Sequence, residues 1–104
     1  MEQMRIWLDD LRPAPAGYVH CYSVEEAKQF IEACEMQGLP IVVIDCDYDL
    51  GSYEFRGGSG LRLLEWLAAR GSFYSVEVHS THSVGRPRME AFVRANWPRG
   101  KQPL

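Results

Sequence analysis

Residues 41–51, IVVIDCDYDLG, constrain this chain more than any other stretch. An apolar run without polar alternation reads as a strand buried on both faces, the kind found inside a parallel sheet. The run then places an aspartate at every second position: Asp45, Asp47 and Asp49. Residues two apart on a strand share a face, about 7 Å apart. Carboxylates that close repel unless a metal ion or cationic side chains hold them, or unless they lie in a solvated turn, where Asp is common. Both readings stand on this stretch alone.

The rest of the chain supplies the partners for such a strand. Met4–Leu8 reads as a first strand that runs into Asp9–Asp10. Pro13 and Pro15 then exclude a regular helix. Tyr18–Tyr22 is β-prone and reads as a second short strand. Ser23 with Glu26 forms a capping box ahead of Val24, Ala27, Phe30, Ile31 and Cys34 at helical spacing, and Gly38 ends that helix. Pro40–Cys46 is the central strand. Residues 50–60 hold four glycines and read as a flexible loop whose Tyr53 and Phe55 either stack on a ligand or pack on the fold. Ser59 can cap a helix with apolar Leu61, Leu64 and Leu67, ending at Gly71. Ser75–His79 is the last strand. Gly85 to Trp97 is the last helix, with Met89, Phe92, Val93 and Asn96 on its inner face and Pro87 in its first turn. Residues 98–104 read as a frayed tail. One domain over residues 1–104, with its core between 4 and 97, follows; there is no repeat or linker.

Strands alternating with helices predict an α/β fold with a short, mostly parallel sheet of about four strands. Ligands of such sheets bind at the carboxyl ends of strands. Asp9–Asp10, Asp47 with Asp49, and His79–Ser80 all fall at that one edge. The coincidence favours a functional site over three unrelated solvated turns.

Several classes are excluded. Hydrophobic residues make up 46% of the chain, enough for one core without metal or disulfide staples. No run of apolar residues is long enough to span a membrane, and MEQMRIWLDD lacks the layout of a signal peptide, so a cytoplasmic protein is expected. Cys21, Cys34 and Cys46 are odd in number and lack CxxC spacing, as expected of reduced, buried thiols. The net charge of −3 conceals a split: residues 1–84 carry 13 acids against 6 bases, and residues 85–104 carry 5 bases and one acid. That split suits acids holding a metal beside arginines holding a phosphate, or merely unevenly charged surfaces. No basic run interleaved with aromatics is present, so an extended nucleic-acid surface is not expected.

Three segments, WLDDLRPAP, DYDLG and HSTHSVGRPRM, together resemble the cyclic-phosphate processing receiver family, small domains related to the receiver domains of response regulators. The family pattern is LDD-x-R-P, then D-H-D-L-G, then H-S-x-N-x-x-G-x-x-x-M. The resemblance runs from about Met4 to Trp97, and the chain departs from it at Tyr48 and His82. It implies a reduced receiver or flavodoxin-like three-layer α/β fold and a role in processing cyclic phosphates of nucleotides or RNA ends.

On that resemblance, Asp9, Asp10 and Asp47 match an acidic pocket for a divalent cation, and Mg²⁺ or Mn²⁺ suits oxygen donors. Asp49 is a further ligand or a turn cap. Asp45 has no counterpart; it faces the site from behind or bonds to a nearby backbone group. His79 is the acid/base candidate, since its ordinary pKa is near neutrality, or else a core histidine. Ser80 matches the hydroxyl that contacts a phosphoryl oxygen, and His82 could donate to phosphate. Arg86 at the start of the last helix, and Arg12 opposite, are candidate phosphate contacts or solvated charges. His20 reads as structural. The function this implies is a metal-dependent phosphoesterase acting on a phosphate-bearing small molecule or nucleic-acid end, with Asp47 and His79 catalytic. The alternatives are a non-catalytic module that binds nucleotide, phosphate or protein, and a signalling receiver phosphorylated on Asp47. The last lacks a suitable lysine, because only Lys28 and Lys101 exist.

Overall fold

The computed structural model describes residues 2–102. Four strands, β1 (Met4–Leu8), β2 (Tyr18–Cys21), β3 (Ile41–Cys46) and β4 (Val76–Val78), form one sheet in the order β2-β1-β3-β4. Every pairing is parallel. Three helices accompany them: α1 (Val24–Gln37), α2 (Gly60–Arg70) and α3 (Gly85–Asn96). The receiver-like α/β architecture expected from the sequence is therefore present.

The helices share one face of the sheet with the core. The β2-α1-β3 and β3-α2-β4 crossovers progress in one direction across the sheet, so their common hand sets both helices on one face. Ile6, Leu8, Cys21, Ile44, Cys46 and Val76 share a single core with Ile31 of α1, Leu63, Leu64 and Leu67 of α2, and Met89 and Val93 of α3. The other face carries Arg5, Trp7, Tyr18, His20, Asp45 and Glu77 in matching register, with Arg5 and Glu77 exposed. The proline-containing connection from β1 to β2 cannot form a helix to cover that face. It folds back instead, and the Trp7 indole N–H donates to the Arg12 carbonyl at 3.1 Å.

Local signals act as expected at α1. Ser23 Oγ accepts from the Glu26 N–H at 3.1 Å, the Glu26 carboxylate accepts from the Tyr22 N–H, and Gly38 caps the other end with φ 70°. Four corrections apply elsewhere. Residues 50–60 are ordered by a 3-10 turn at Gly51–Phe55 and by a fully buried Leu50. Leu63 is buried in α2, whereas Leu61 is half-buried. Asn96 is exposed, its amide donating to the Phe92 carbonyl; Trp97 takes the inner place, its indole donating to the Tyr74 carbonyl at 2.8 Å. The tail is folded as far as Gln102, whose amide donates to the carbonyls of Arg94 and Trp97; residues 103 and 104 lie outside the described residues. All three cysteines are buried and free.

Candidate functional site

Strand parity builds the site. Trp7, Asp45 and Glu77 pair across the sheet. Two residues on, Asp9, Asp47 and His79 follow on the same face at the carboxyl ends of three neighbouring strands. The His79 ring is stacked on Trp7, with centroids 3.7 Å apart and planes 3° from parallel. Its Nδ1 lies 2.7 Å from Asp45 Oδ1 and its Nε2 lies 2.9 Å from Asp9 Oδ2. Carboxylates only accept, so both ring nitrogens carry protons and His79 is an imidazolium. Burial pushes its pKa down, but the bonds and charges of Asp45 and Asp9 outweigh burial and hold it above the usual 6.5. Asp9 moves the opposite way. Burial pushes its carboxyl up, but N–H bonds from Leu11 and Arg12 into Oδ1, at 2.8 and 2.9 Å, together with His79, hold it below 3.8.

This geometry changes two expectations. Both protons of His79 point into carboxylates and the ring does not line the adjoining cleft, so His79 positions Asp9 and is not aimed at a substrate. Asp45 binds that ring rather than a backbone group. The pairing was latent in the sequence, since Asp45 and Asp47 share a parity, but which strand lies beside β3 is a tertiary fact.

A cleft of about 290 Å³ opens next to this pair, lined by Asp9, Asp10, Arg12, Asp47, Asp49, Ser80, Thr81 and His82, with Leu11 and Gly51. The four acids expected to bind metal therefore converge. Asp47 Oδ1 accepts from the Tyr48 N–H at 2.8 Å, and Asp49 Oδ1 accepts from the Gly51 N–H at 2.9 Å. The second oxygen of each carries no hydrogen bond among the described residues. Asp10 is pushed above the usual 3.8, first by burial and then by the charges of Asp9, Asp47 and Asp49. Ligand atoms of Asp9, Asp47 and His79 lie within 4.8 Å of one another. His79 Nε2 is committed to Asp9, which leaves a set of hard oxygen donors with too few cations around them. That set fits Mg²⁺ or Mn²⁺.

Close approach at this edge depends on glycine. A Cβ on Gly60 would lie 1.9 Å from the Asp47 carbonyl, so only glycine lets α2 start against the end of β3. The Gly60 N–H donates to the Tyr48 carbonyl at 2.9 Å, which fixes the Asp47 loop.

The opposite wall offers donors. The Arg12 guanidinium donates to the His79 carbonyl at 3.1 Å and to Thr81 Oγ1 at 3.3 Å, and keeps further N–H groups for a ligand. Thr81 was not anticipated. Ser80 is fully buried, and its Oγ accepts from the His82 N–H. No base touches that hydroxyl among the described residues, and it is closed off from solvent. His82 Nδ1 accepts from the N–H groups of Val84 and Gly85, at 3.3 and 2.8 Å, so its remaining proton sits on Nε2.

The same contacts close the start of α3 to anions. The Gly85 N–H goes to His82 Nδ1, the Arg86 N–H to the His82 carbonyl and the Arg88 N–H to the Val84 carbonyl, while Pro87 has none. Arg86 is not brought into the cleft. It lies over β4, donating to Glu90 at 3.4 Å and to the Ser80 carbonyl. Lys28 sits over the Trp66 ring and Lys101 in the last 3-10 turn, so neither lysine lines the cleft.

Tyr48 and His82, the two departures from the family pattern, touch: their ring centroids are 4.9 Å apart. Tyr48 also fills the space over Gly85, where a Cβ would lie 2.2 Å from its ring.

No curated protein and no solved structure matches this chain. The family model described as the cyclic-phosphate processing receiver domain matches residues 4–95, nearly the whole chain and every residue of the cleft. The chain belongs to the cyclic-phosphate processing receiver domain family.

Proposed function

We propose that the cleft is a divalent-cation site that hydrolyses a cyclic phosphodiester of a nucleotide or RNA end. The observation that carries this reading is the crowding of Asp9, Asp10, Asp47 and Asp49 around one cleft, with Asp10 raised by burial and then by its like-charged neighbours. Such a cluster is costly unless a cation joins it. Mg²⁺ or Mn²⁺ there supplies charge neutralisation and polarises the phosphoryl group.

The chain's own residues divide the remaining work. Asp10 and Asp47 offer oxygens free to hold the ion, and His79 keeps Asp9 ionised and oriented beside them. Arg12 and Thr81 bind the non-bridging phosphate oxygens, while the buried Ser80 hydroxyl holds the His82 backbone beside them. In ring opening, a bond from water oxygen to phosphorus forms and one ring P–O bond breaks. The free oxygen of Asp49 takes the proton from water and returns it to the departing oxygen, toward which His82 Nε2–H donates a hydrogen bond.

A binding module without turnover is the second reading, favoured by the engagement of both protons of His79. A phosphoacceptor role for Asp47 has less support, because no lysine lines the cleft. Calorimetric titration of Mn²⁺ into the wild type and Asp47→Asn tests the site, followed by assays on cyclic nucleotides and 2′,3′-cyclic phosphate ends. The expected result is Mn²⁺ binding and turnover, both lost in Asp47→Asn. Turnover that survives in this variant refutes the scheme; Mn²⁺ and phosphate binding without turnover selects the module.

A further inference from the structure

A second hollow, about 430 Å³ and larger than the cleft, lies at the same edge of the sheet. Tyr22, Tyr53, Glu25, Glu26, Gln29 and Arg56 line it. It is coupled to the cleft in two ways. The 3-10 turn Gly51–Phe55 carries Gly51 into the cleft and Tyr53 into the hollow. His20 Nε2 lies 2.7 Å from the Asp9 carbonyl, while the His20 ring is stacked on Tyr22 at 3.9 Å and 9°. Through these two contacts the Tyr22 ring is joined to the backbone of Asp9, whose carboxylate lines the cleft.

The chemistry of the hollow is selective. Tyr22 and Tyr53, with centroids 5.8 Å apart and planes 38° apart, are 40% and 39% exposed, so two aromatic faces meet solvent rather than the core. Glu25 and Glu26 outnumber Arg56, so the rim repels a phosphate and attracts N–H donors. Glu26 spends one oxygen on the Tyr22 N–H; the Glu25 carboxylate accepts no hydrogen bond among the described residues. Exposed aromatic faces ringed by carboxylates suit a planar heterocycle with an N–H edge. Among nucleobases, guanine presents two adjacent N–H donors that one carboxylate can take together.

We propose that this hollow seats the base of a nucleotide whose phosphate occupies the acidic cleft, with a preference for guanine. The proposal rests on the phosphate reading of the cleft and adds the substrate class. The ring stacks on Tyr53 and Tyr22, and Glu25 accepts from its edge.

The test titrates three ligands by calorimetry with Mn²⁺ present, in an Asp49→Asn background that leaves them unhydrolysed: guanosine 2′,3′-cyclic phosphate, its uridine counterpart and methyl riboside 2′,3′-cyclic phosphate, which has no base. The guanosine ligand should bind about 10- to 100-fold more tightly than the base-free one, the worth of one stacked base. Tyr53→Leu should remove most of that advantage and leave the base-free affinity unchanged. Tyr53→Phe should keep it, and Glu25→Gln should reduce the margin of guanosine over uridine. Equal affinity of the guanosine and base-free ligands overturns the base seat while leaving the cleft intact. Equal affinity of guanosine and uridine overturns the guanine preference. Failure of all three to bind overturns the reading of the cleft, and this proposal with it.

Discussion

Replacing His79 with alanine tests the organisation of the whole edge. Its side chain is 14% exposed, and the two carboxylates it bridges, Asp9 and Asp45, are more buried still. Two charge-assisted hydrogen bonds are each worth about 1.5–3 kcal/mol. The stack on Trp7 adds about 0.5–1.5 kcal/mol. The cost of burying the imidazolium offsets much of that sum in the wild type. The variant recovers that cost but strands two buried carboxylates, so the loss should be about 3–5 kcal/mol. The pH dependence carries the sign. The pKa of His79 is raised above 6.5, so its contribution is complete below that value and fades as pH climbs through the native pKa. The pKa of Asp9 is lowered below 3.8, so its contribution is complete above that value and fades as pH falls through the native pKa. The gap between wild type and His79→Ala should therefore be widest between 3.8 and 6.5 and narrow at alkaline pH. Urea unfolding followed by circular dichroism at about pH 5 and about pH 9 measures both gaps. A gap below about 1 kcal/mol at the lower pH, or one that does not change, refutes the ion-paired imidazolium.

Three further outcomes are expected. Gly60→Ala forces the start of α2 away from the Asp47 carbonyl, so it should cost about 1–3 kcal/mol and also weaken Mn²⁺ binding, read by urea unfolding and calorimetry. Asp10→Asn should stabilise the metal-free protein by about 0.5 kcal/mol, small because the group is partly solvated, while lowering Mn²⁺ affinity; a lower Tm without metal contradicts the like-charge account. His82→Ala removes the acceptor at the start of α3 and should cost about 1 kcal/mol, most of which His82→Asn should restore in the same unfolding assay.

Much of this protein was legible from its residues. Apolar runs, Ser23, Gly38 and Gly71 act within a few residues of themselves, so the strands, α1 and the end of α2 at Gly71 followed from local rules, whereas Ser59 makes no side-chain cap at its start. The family followed from three motifs read together, and the convergence of Asp9, Asp10, Asp47 and Asp49 followed from the rule that parallel strands gather their carboxyl ends at one edge. Which face α1 and α2 cover was not legible from composition, because the hand of successive crossovers decides it. Asn96 was set inward by spacing alone, but the helix ends there and the extended Trp97 that follows turns into the core.

The roles within the site belong to the tertiary structure. No periodicity says that His79 finds a carboxylate at each ring nitrogen, because Asp9 and Asp45 reach it only once β4 lies against β3 and β1 beyond. Arg86 stands at a helix start, where sequence favours an anion, yet His82 fills that start and Arg86 turns toward Glu90. Sequence by itself determined which chemical groups gather at the edge. Tertiary structure decided which of their protons and lone pairs remain free, because hydrogen bonds among distant segments consume them first.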